Sequence, residues 1–264
     1  MKYIFLPEIT NIIISFFNPD NDKEFKTIID FFFCSKKSSL DFLFMKNIFN
    51  IPFLESALRK IVDSDREVDI KTVKRILAKI DPSKFNNRIL RSASSNGHEQ
   101  IVKLLLKDTR VKANDFNDAA ICNACINGHT KIVELLLKDT TVNPCARNNF
   151  PIKRAAMFGY IDIVKLFVEK NIKIVDEPSS PLIIAAGCGH LHIVKYLLEN
   201  TLLDPSYRNN SALRFACKHV NIEIVKELLN HEKVNPNKNP CEVIISCWED
   251  ENSEIPKIIL NNFC

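Results

Sequence analysis

The amino-acid sequence predicts an all-α fold, a solenoid of stacked helix pairs behind a short N-terminal helical segment. Three observations predict it. A block of about thirty residues returns again and again along the chain, the length of a stacked helical repeat. Each copy carries two helix signatures separated by a glycine. The first fifty residues differ from everything that follows: they are dense in phenylalanine and lack that frame.

The repeat is clearest in Ala93 to Leu105, Ala124 to Leu136, Ala155 to Leu166 and Ala185 to Leu198. Their glycines, Gly97, Gly128, Gly159 and Gly189, recur at spacings of 31, 31 and 30 residues. A fifth copy, Ala216 to Leu229, has Val220 where the glycine belongs, and a sixth, Cys247 to Leu260, keeps only the apolar spacing. Val73, Ile76 and Leu77 mark the outer helix of a degenerate first unit. Atypical ends are expected where terminal units cap a stack, and about seven pairs result when these ends are counted.

The fourth clear copy shows why this spacing makes a helix pair. Ser180 is placed to cap an inner helix, and Pro181 suits its first position, where a missing N–H is no loss. Ala185 and Ala186 let neighbouring inner helices approach closely, and Gly189 can take the left-handed conformation that ends a helix. Ile193, Val194, Leu197 and Leu198 then form the apolar stripe of an outer helix, with Lys195 and Glu199 left to water. Asp204-Pro205 breaks the chain into the next connection. Val220 is expected to avoid the left-handed turn, with Asn221 taking it instead, because a β-branched residue is strained there.

These residues resemble the ankyrin repeat, whose pattern runs T-P-L-H-x-A-A-x-x-G-H-x-x-I-V-x-x-L-L. The resemblance covers roughly residues 52 to 264, most regularly 88 to 230, and divides the chain into segment 1–50 and repeats 51–264. The T-P-L-H part is eroded: it survives as Ser180-Pro181-Leu182 and Pro151-Ile152, while the histidine is replaced by Arg91, Cys122, Lys153, Ile183 and Arg214. In the family that histidine ties neighbouring loops, so its loss puts their rigidity in doubt. The resemblance implies a protein partner held in a concave groove, lined by loop tips and by the two residues after each alanine pair. Here Met157 and Phe158 fall in the middle of that surface, with Arg147, Tyr207, Arg208 and Lys218 as further contacts. Aromatic, Met and Arg side chains favour interface centres, so the expected ligand is a segment bearing acidic and apolar residues.

Before the repeats, Leu6-Pro7-Glu8-Ile9 leads into an apolar helix, a polar break at Asn18-Pro19-Asp20 and a second helix reaching Cys34 and Lys36. This resembles the F-box, a three-helix segment that docks on the Skp-type adaptor of cullin ubiquitin ligases. The resemblance implies adaptor contacts at Leu6, Pro7, Ile9, Ile13 and Phe16. The segment departs from the family in having one residue fewer between Leu-Pro and the acid, and in lacking a tryptophan after its Cys-Lys region. The alternative is a helical cap over the apolar end of the first repeat, in a plain scaffold or competitive binder.

Composition and motifs narrow the chemistry. With 36 basic and 32 acidic residues the chain is only mildly basic, which asks for neither nucleic acid nor membrane, and no apolar run is long enough to span a bilayer. The apolar start is interrupted by Pro7 and Glu8 without a cleavage site, so no signal peptide is expected. Nine scattered cysteines indicate a reducing, cytoplasmic setting. Cys122-x-x-Cys125 has no second pair to complete a zinc set and reads as buried small residues. His98, His129 and His190 hold the Gly-His position and read as structural. No phosphate-binding, nucleophile-elbow or metalloprotease motif occurs, so neither an enzyme nor a cofactor is expected.

Overall fold

The computed structural model describes residues 51–63, 70–235 and 255–260, which form helices and no strands. The F-box-like segment, with Leu6, Pro7, Ile9, Ile13 and Phe16, lies outside them. The chain divides into two compact units, 1–110 and 111–264.

In the first unit, α1 (Ile51–Val62) pairs with α2 (Ile70–Leu77), and α3 (Lys84–Ser95) with α4 (Glu99–Leu105). Leu54, Leu58, Val73, Ile76, Leu90, Ile101 and Leu105 make its core. The Asn96 side-chain amide reaches back from the end of α3 and donates to Val62 O at 2.7 Å, closing the end of α1.

The second unit repeats the arrangement as α5 (Asp115–Ile126) with α6 (Thr130–Leu136), α7 (Ala146–Phe158) with α8 (Ile161–Glu169), α9 (Pro181–Cys188) with α10 (Leu191–Asn200), and α11 (Tyr207–Lys218) with α12 (Ile222–Leu229), followed by α13 (Ile255–Leu260). The odd-numbered helices from α5 to α11 form an inner row, the even-numbered ones an outer row. Inner helices pack more closely on one another than outer ones do, because Ala124 and Cys125, Ala155 and Ala156, Ala185 and Ala186, and Ala216 and Cys217 are fully buried along their contacts. The outer helices bury Ile-Val and a Leu or Phe one turn on, as in Ile163, Val164 and Phe167, each at 0% exposure. Neither row can bury its apolar stripe without the other.

Ser180 caps α9 as expected: its hydroxyl accepts from Ile183 N–H at 3.4 Å, and Pro181 opens the helix. The other inner helices begin in an unexpected way. Three successive residues in each take φ near +55°: Phe85–Asn87, Phe116–Asp118, Arg147–Asn149 and Arg208–Asn210. Each left-handed turn is closed by its third residue, whose N–H donates to the carbonyl four residues back (Asn87 to Ser83, Asp118 to Asn114, Asn149 to Cys145, Asn210 to Ser206). Pro151 follows such a turn with only Phe150 between and so sits in the first right-handed turn of α7, where it displaces no helical hydrogen bond.

Left-handed backbone costs about 1–2 kcal/mol per ordinary residue, less for Asn and Asp. Two devices offset it. An arginine grips the first carbonyl: Arg91 donates to Phe85 O, Arg147 to Phe116 O and Arg214 to Arg208 O, at 3.0–3.2 Å. The third residue is buried, and in two repeats it ties to the next loop: Asp118 Oδ1 accepts from Asn143 N–H at 2.8 Å, and the Asn210 amide donates to Asn235 O at 2.9 Å. Asp176 accepts from Asp204 N–H in the same manner ahead of α9. Where the family's loop-tying histidine is replaced, Lys153 pairs with Glu177 of the following connection at 3.0 Å, a half-buried ion pair. Arg91 and Arg214 hold the turns of their own repeats. The eroded motif has substitutes rather than loose loops.

Val220 corrects the sequence expectation. It takes φ +56°, the glycine's conformation, while Asn221 is right of the turn at φ −85° and opens α12. The reason lies in the Asn221 side chain, whose amide donates to Ala186 O and Gly187 O at 2.8 and 2.9 Å. Two hydrogen bonds to the end of α9 require Asn221 to stand where the histidine stands elsewhere, and Val220 must then turn.

Candidate functional site

The same position after each left-handed turn builds the joint between repeats. His190 lies with Nε2 2.9 Å from Met157 O, and since a carbonyl only accepts, Nε2 carries the proton. Tyr160 covers Gly128, His190 covers Gly159 and Asn221 covers Gly189. A Cβ on Gly159 would come within 2.8 Å of the His190 ring, so this glycine answers both to its φ of +81° and to its neighbour. The histidines are accordingly spread one per repeat, as structural parts.

The cysteines fit the same frame. Cys122 and Cys125 are buried in α5; burial pushes the Cys122 thiol up to about 11 and holds the Cys125 thiol well above its ordinary value. Thiols held protonated are poor nucleophiles and poor metal ligands. Cys188, at the end of α9, is exposed.

What remains free is the exposed face of the inner row in the second unit. Met157 (40% exposed) and Phe158 (45%) end α7, and Phe215 (44%) stands one turn earlier on α11. Arg154 lies beside them on α7, its guanidinium 4.6 Å over the Phe150 ring and its Nη1 3.1 Å from Met157 Sδ. Lys218 ends α11, exposed. Positions 154, 157 and 158 share one helical face by their spacing of three and four, and 215, 218 and 219 repeat it on α11. Arg154 and Phe215 were not singled out from the sequence, although their place three residues before Met157 and Lys218 carries the signal.

The remaining sequence candidates lie elsewhere. Arg147, Tyr207 and Arg208 belong to the first turns of α7 and α11, whereas Met157, Phe158 and Lys218 belong to their last turns, roughly 15 Å away by helical rise. Arg147, exposed though it is, already spends one N–H on Phe116 O. Arg208 is exposed at the tip of its left-handed turn, and Tyr207 beside it is half-buried. The candidates therefore divide into an apolar patch at one end of the inner row and a basic rim at the other.

Charge is sorted between the rows. Helices α7, α9 and α11 carry six basic residues and no acidic one, whereas α8, α10 and α12 carry five acidic and three basic. Lys153 is neutralised by Glu177; Arg208 and Lys218 pair with no carboxylate among the described residues. Among the described residues no group of acidic, His and Cys side chains could hold a metal, and no helix is long and apolar enough to cross a membrane.

Comparison with known proteins agrees with this architecture. No curated protein matches the chain. Among solved structures, the crystal structure of the human ASB11 ankyrin repeat domain is similar, with a TM-score of 0.57 and 21% identity over 66% of this chain and 83% of that one; at this identity the likeness is one of fold. The family model for ankyrin repeats matches three times, over residues 61–148, 90–178 and 152–240. Covering more than half of the sequence, these matches place the chain in the ankyrin-repeat family, whose repeats are protein–protein interaction modules and generally non-catalytic.

Proposed function

We propose that the second unit captures a target protein on its inner face, around Met157, Phe158 and Phe215 with Arg154 and Lys218 beside them. The observation that carries this reading is the joint exposure of three large apolar side chains on one face, next to cations that nothing on that face neutralises. Buried inner positions hold the stack together; these three leave 40–45% of their surface to solvent, apolar area on this face that the fold itself does not cover. Arg208 and Tyr207 extend the contact towards the basic rim. Segment 1–50 then acts as the F-box its Leu6-Pro7-Glu8-Ile9 resembles, recruiting a Skp-type adaptor and making the chain a substrate receptor of a cullin-type ubiquitin ligase.

Two measurements test the parts separately. Phe158→Ala combined with Phe215→Ala should lower the melting temperature only modestly, leaving the chain folded, and weaken capture of a specific cellular partner by about 10- to 100-fold, as removal of interface-centre aromatics does. Undiminished capture would exclude the inner face. Co-purification of a Skp-type adaptor should be lost on changing Leu6 and Pro7 together. An adaptor that never co-purifies leaves a scaffold or competitive binder whose first fifty residues serve as a cap.

A further inference from the structure

One inner helix, α9, lacks a side chain at a half-buried position where its neighbours carry large exposed ones. Two residues before the helix-ending turn, α7 carries Met157 and α11 carries Lys218, but α9 carries Gly187. Gly187 is not among the residues with positive φ, so its conformation suits any side chain. Crowding does not demand glycine either. A Cβ placed there would have its nearest neighbours, Phe215 and His219, at 3.4–3.6 Å, ordinary van der Waals distance. Within a helix glycine is also a poorer choice than alanine. The fold therefore gains nothing from the missing side chain, and its absence leaves a notch. Phe215 of α11 and His219, which caps that helix, border it, and Met157 and Phe158 occupy the matching turn of α7.

The surroundings state what the notch would accept. Its border is aromatic and apolar, and the three helices that carry it have six basic residues and no carboxylate. We infer that the Gly187 notch is a subsite for an apolar side chain of a partner protein, presented by a segment whose flanking residues are acidic. The inference rests on the inner-face reading and adds the partner's chemistry and its point of insertion. A protein segment fits better than a nucleic acid, which would need a row of free cations along its phosphates. Here Lys153 is held by Glu177, Arg154 lies over Phe150, and Arg214 is bound to Arg208 O and Ser211 Oγ. Arg208 and Lys218 are left to meet a few carboxylates.

The test is selection of a random displayed-peptide library on the full chain. Selected peptides are then synthesised and measured by fluorescence polarisation against wild type, Gly187→Ala, Gly187→Leu and Phe158→Ala/Phe215→Ala, with single-stranded DNA of matched length as a competing polyanion. Selected peptides should be rich in Asp and Glu around Phe, Leu or Met, and their affinity should fall with salt. Gly187→Leu should weaken them by about tenfold or more. Gly187→Ala should raise the melting temperature while weakening binding a few-fold, an opposition that a merely structural glycine would not show. No enrichment, enrichment without acidic residues, equal affinity for Gly187→Leu, or equally tight DNA binding would each overturn the inference. Peptides lost on Phe158→Ala/Phe215→Ala but kept on Gly187→Leu would leave the inner face standing and remove the notch; peptides kept on both would remove both.

Discussion

Gly159→Ala should destabilise the protein by about 2–3 kcal/mol, read as a lowered denaturation midpoint with an unchanged slope. Holding alanine at φ +81° costs about 1–2 kcal/mol. The new Cβ would sit 2.8 Å from the His190 ring, which must move and so release its hydrogen bond to Met157 O, at about 1 kcal/mol more. The reverse change at the fifth repeat provides the control. Val220 already has φ +56° and is exposed, so Val220→Gly should stabilise by about 1 kcal/mol. If the two substitutions shifted stability in the same direction, the strain account of this position would be wrong.

Asp118→Ala should cost a comparable amount, about 2–3 kcal/mol, by removing the acceptor for Asn143 N–H and by placing alanine in a left-handed turn that Asp and Asn tolerate better. Asp118→Asn should instead be neutral or slightly stabilising at pH 7. It keeps the acceptor, and Asn holds the same place at 87, 149 and 210. The charge is the difference between the two replacements. Burial raises the Asp118 carboxyl above its usual range, outweighing the Asn143 hydrogen bond and Arg147. A raised value means the folded chain binds this proton more readily than the unfolded one, so stability falls as pH rises through the window between the ordinary ~3.9 and the raised value. Any advantage of Asp118→Asn should therefore be full above that window and vanish as pH drops below it. An advantage that grew on acidification would contradict the assigned cause.

These two positions also show which part of the architecture the sequence discloses. Gly159 was legible because its conformation leaves few alternatives and because it recurs at a fixed spacing with Ala-Ala before it and Ile-Val after it. The left-handed turns were written just as periodically, in Phe85-Asn86-Asn87, Phe116-Asn117-Asp118, Arg147-Asn148-Asn149 and Arg208-Asn209-Asn210, but their residue types do not force the conformation. Phenylalanine and arginine are ordinary right-handed residues. They are held left-handed by arginine and loop contacts that the residue types do not announce, some within the repeat, as Arg91 to Phe85 O, and some from the next one, as when Arg147 reaches Phe116 O. Val220 fails as a local prediction for the same reason, since Asn221 is placed by Ala186 and Gly187 of the preceding repeat. On the proposed interaction face, counting from the alanine pair points to Met157 and Phe158, both exposed at the end of α7. That count does not say which loop residues lie near them: Arg147, Tyr207 and Arg208 stand at the far end of their helices, while Arg154 and Phe215 lie beside the pair one turn earlier.

The covering of Gly128 by Tyr160, Gly159 by His190 and Gly189 by Asn221 runs in one direction only, each side chain reaching back over the repeat before it. The second unit is laid like roof tiles. Lifting the downstream tile bares one hinge and leaves the tiles upstream lapped, so local opening should begin downstream and travel towards α5, one joint at a time. A partner seated across α7, α9 and α11 spans two of these laps and would pin them together, so that recognition itself sets how far the opening can run.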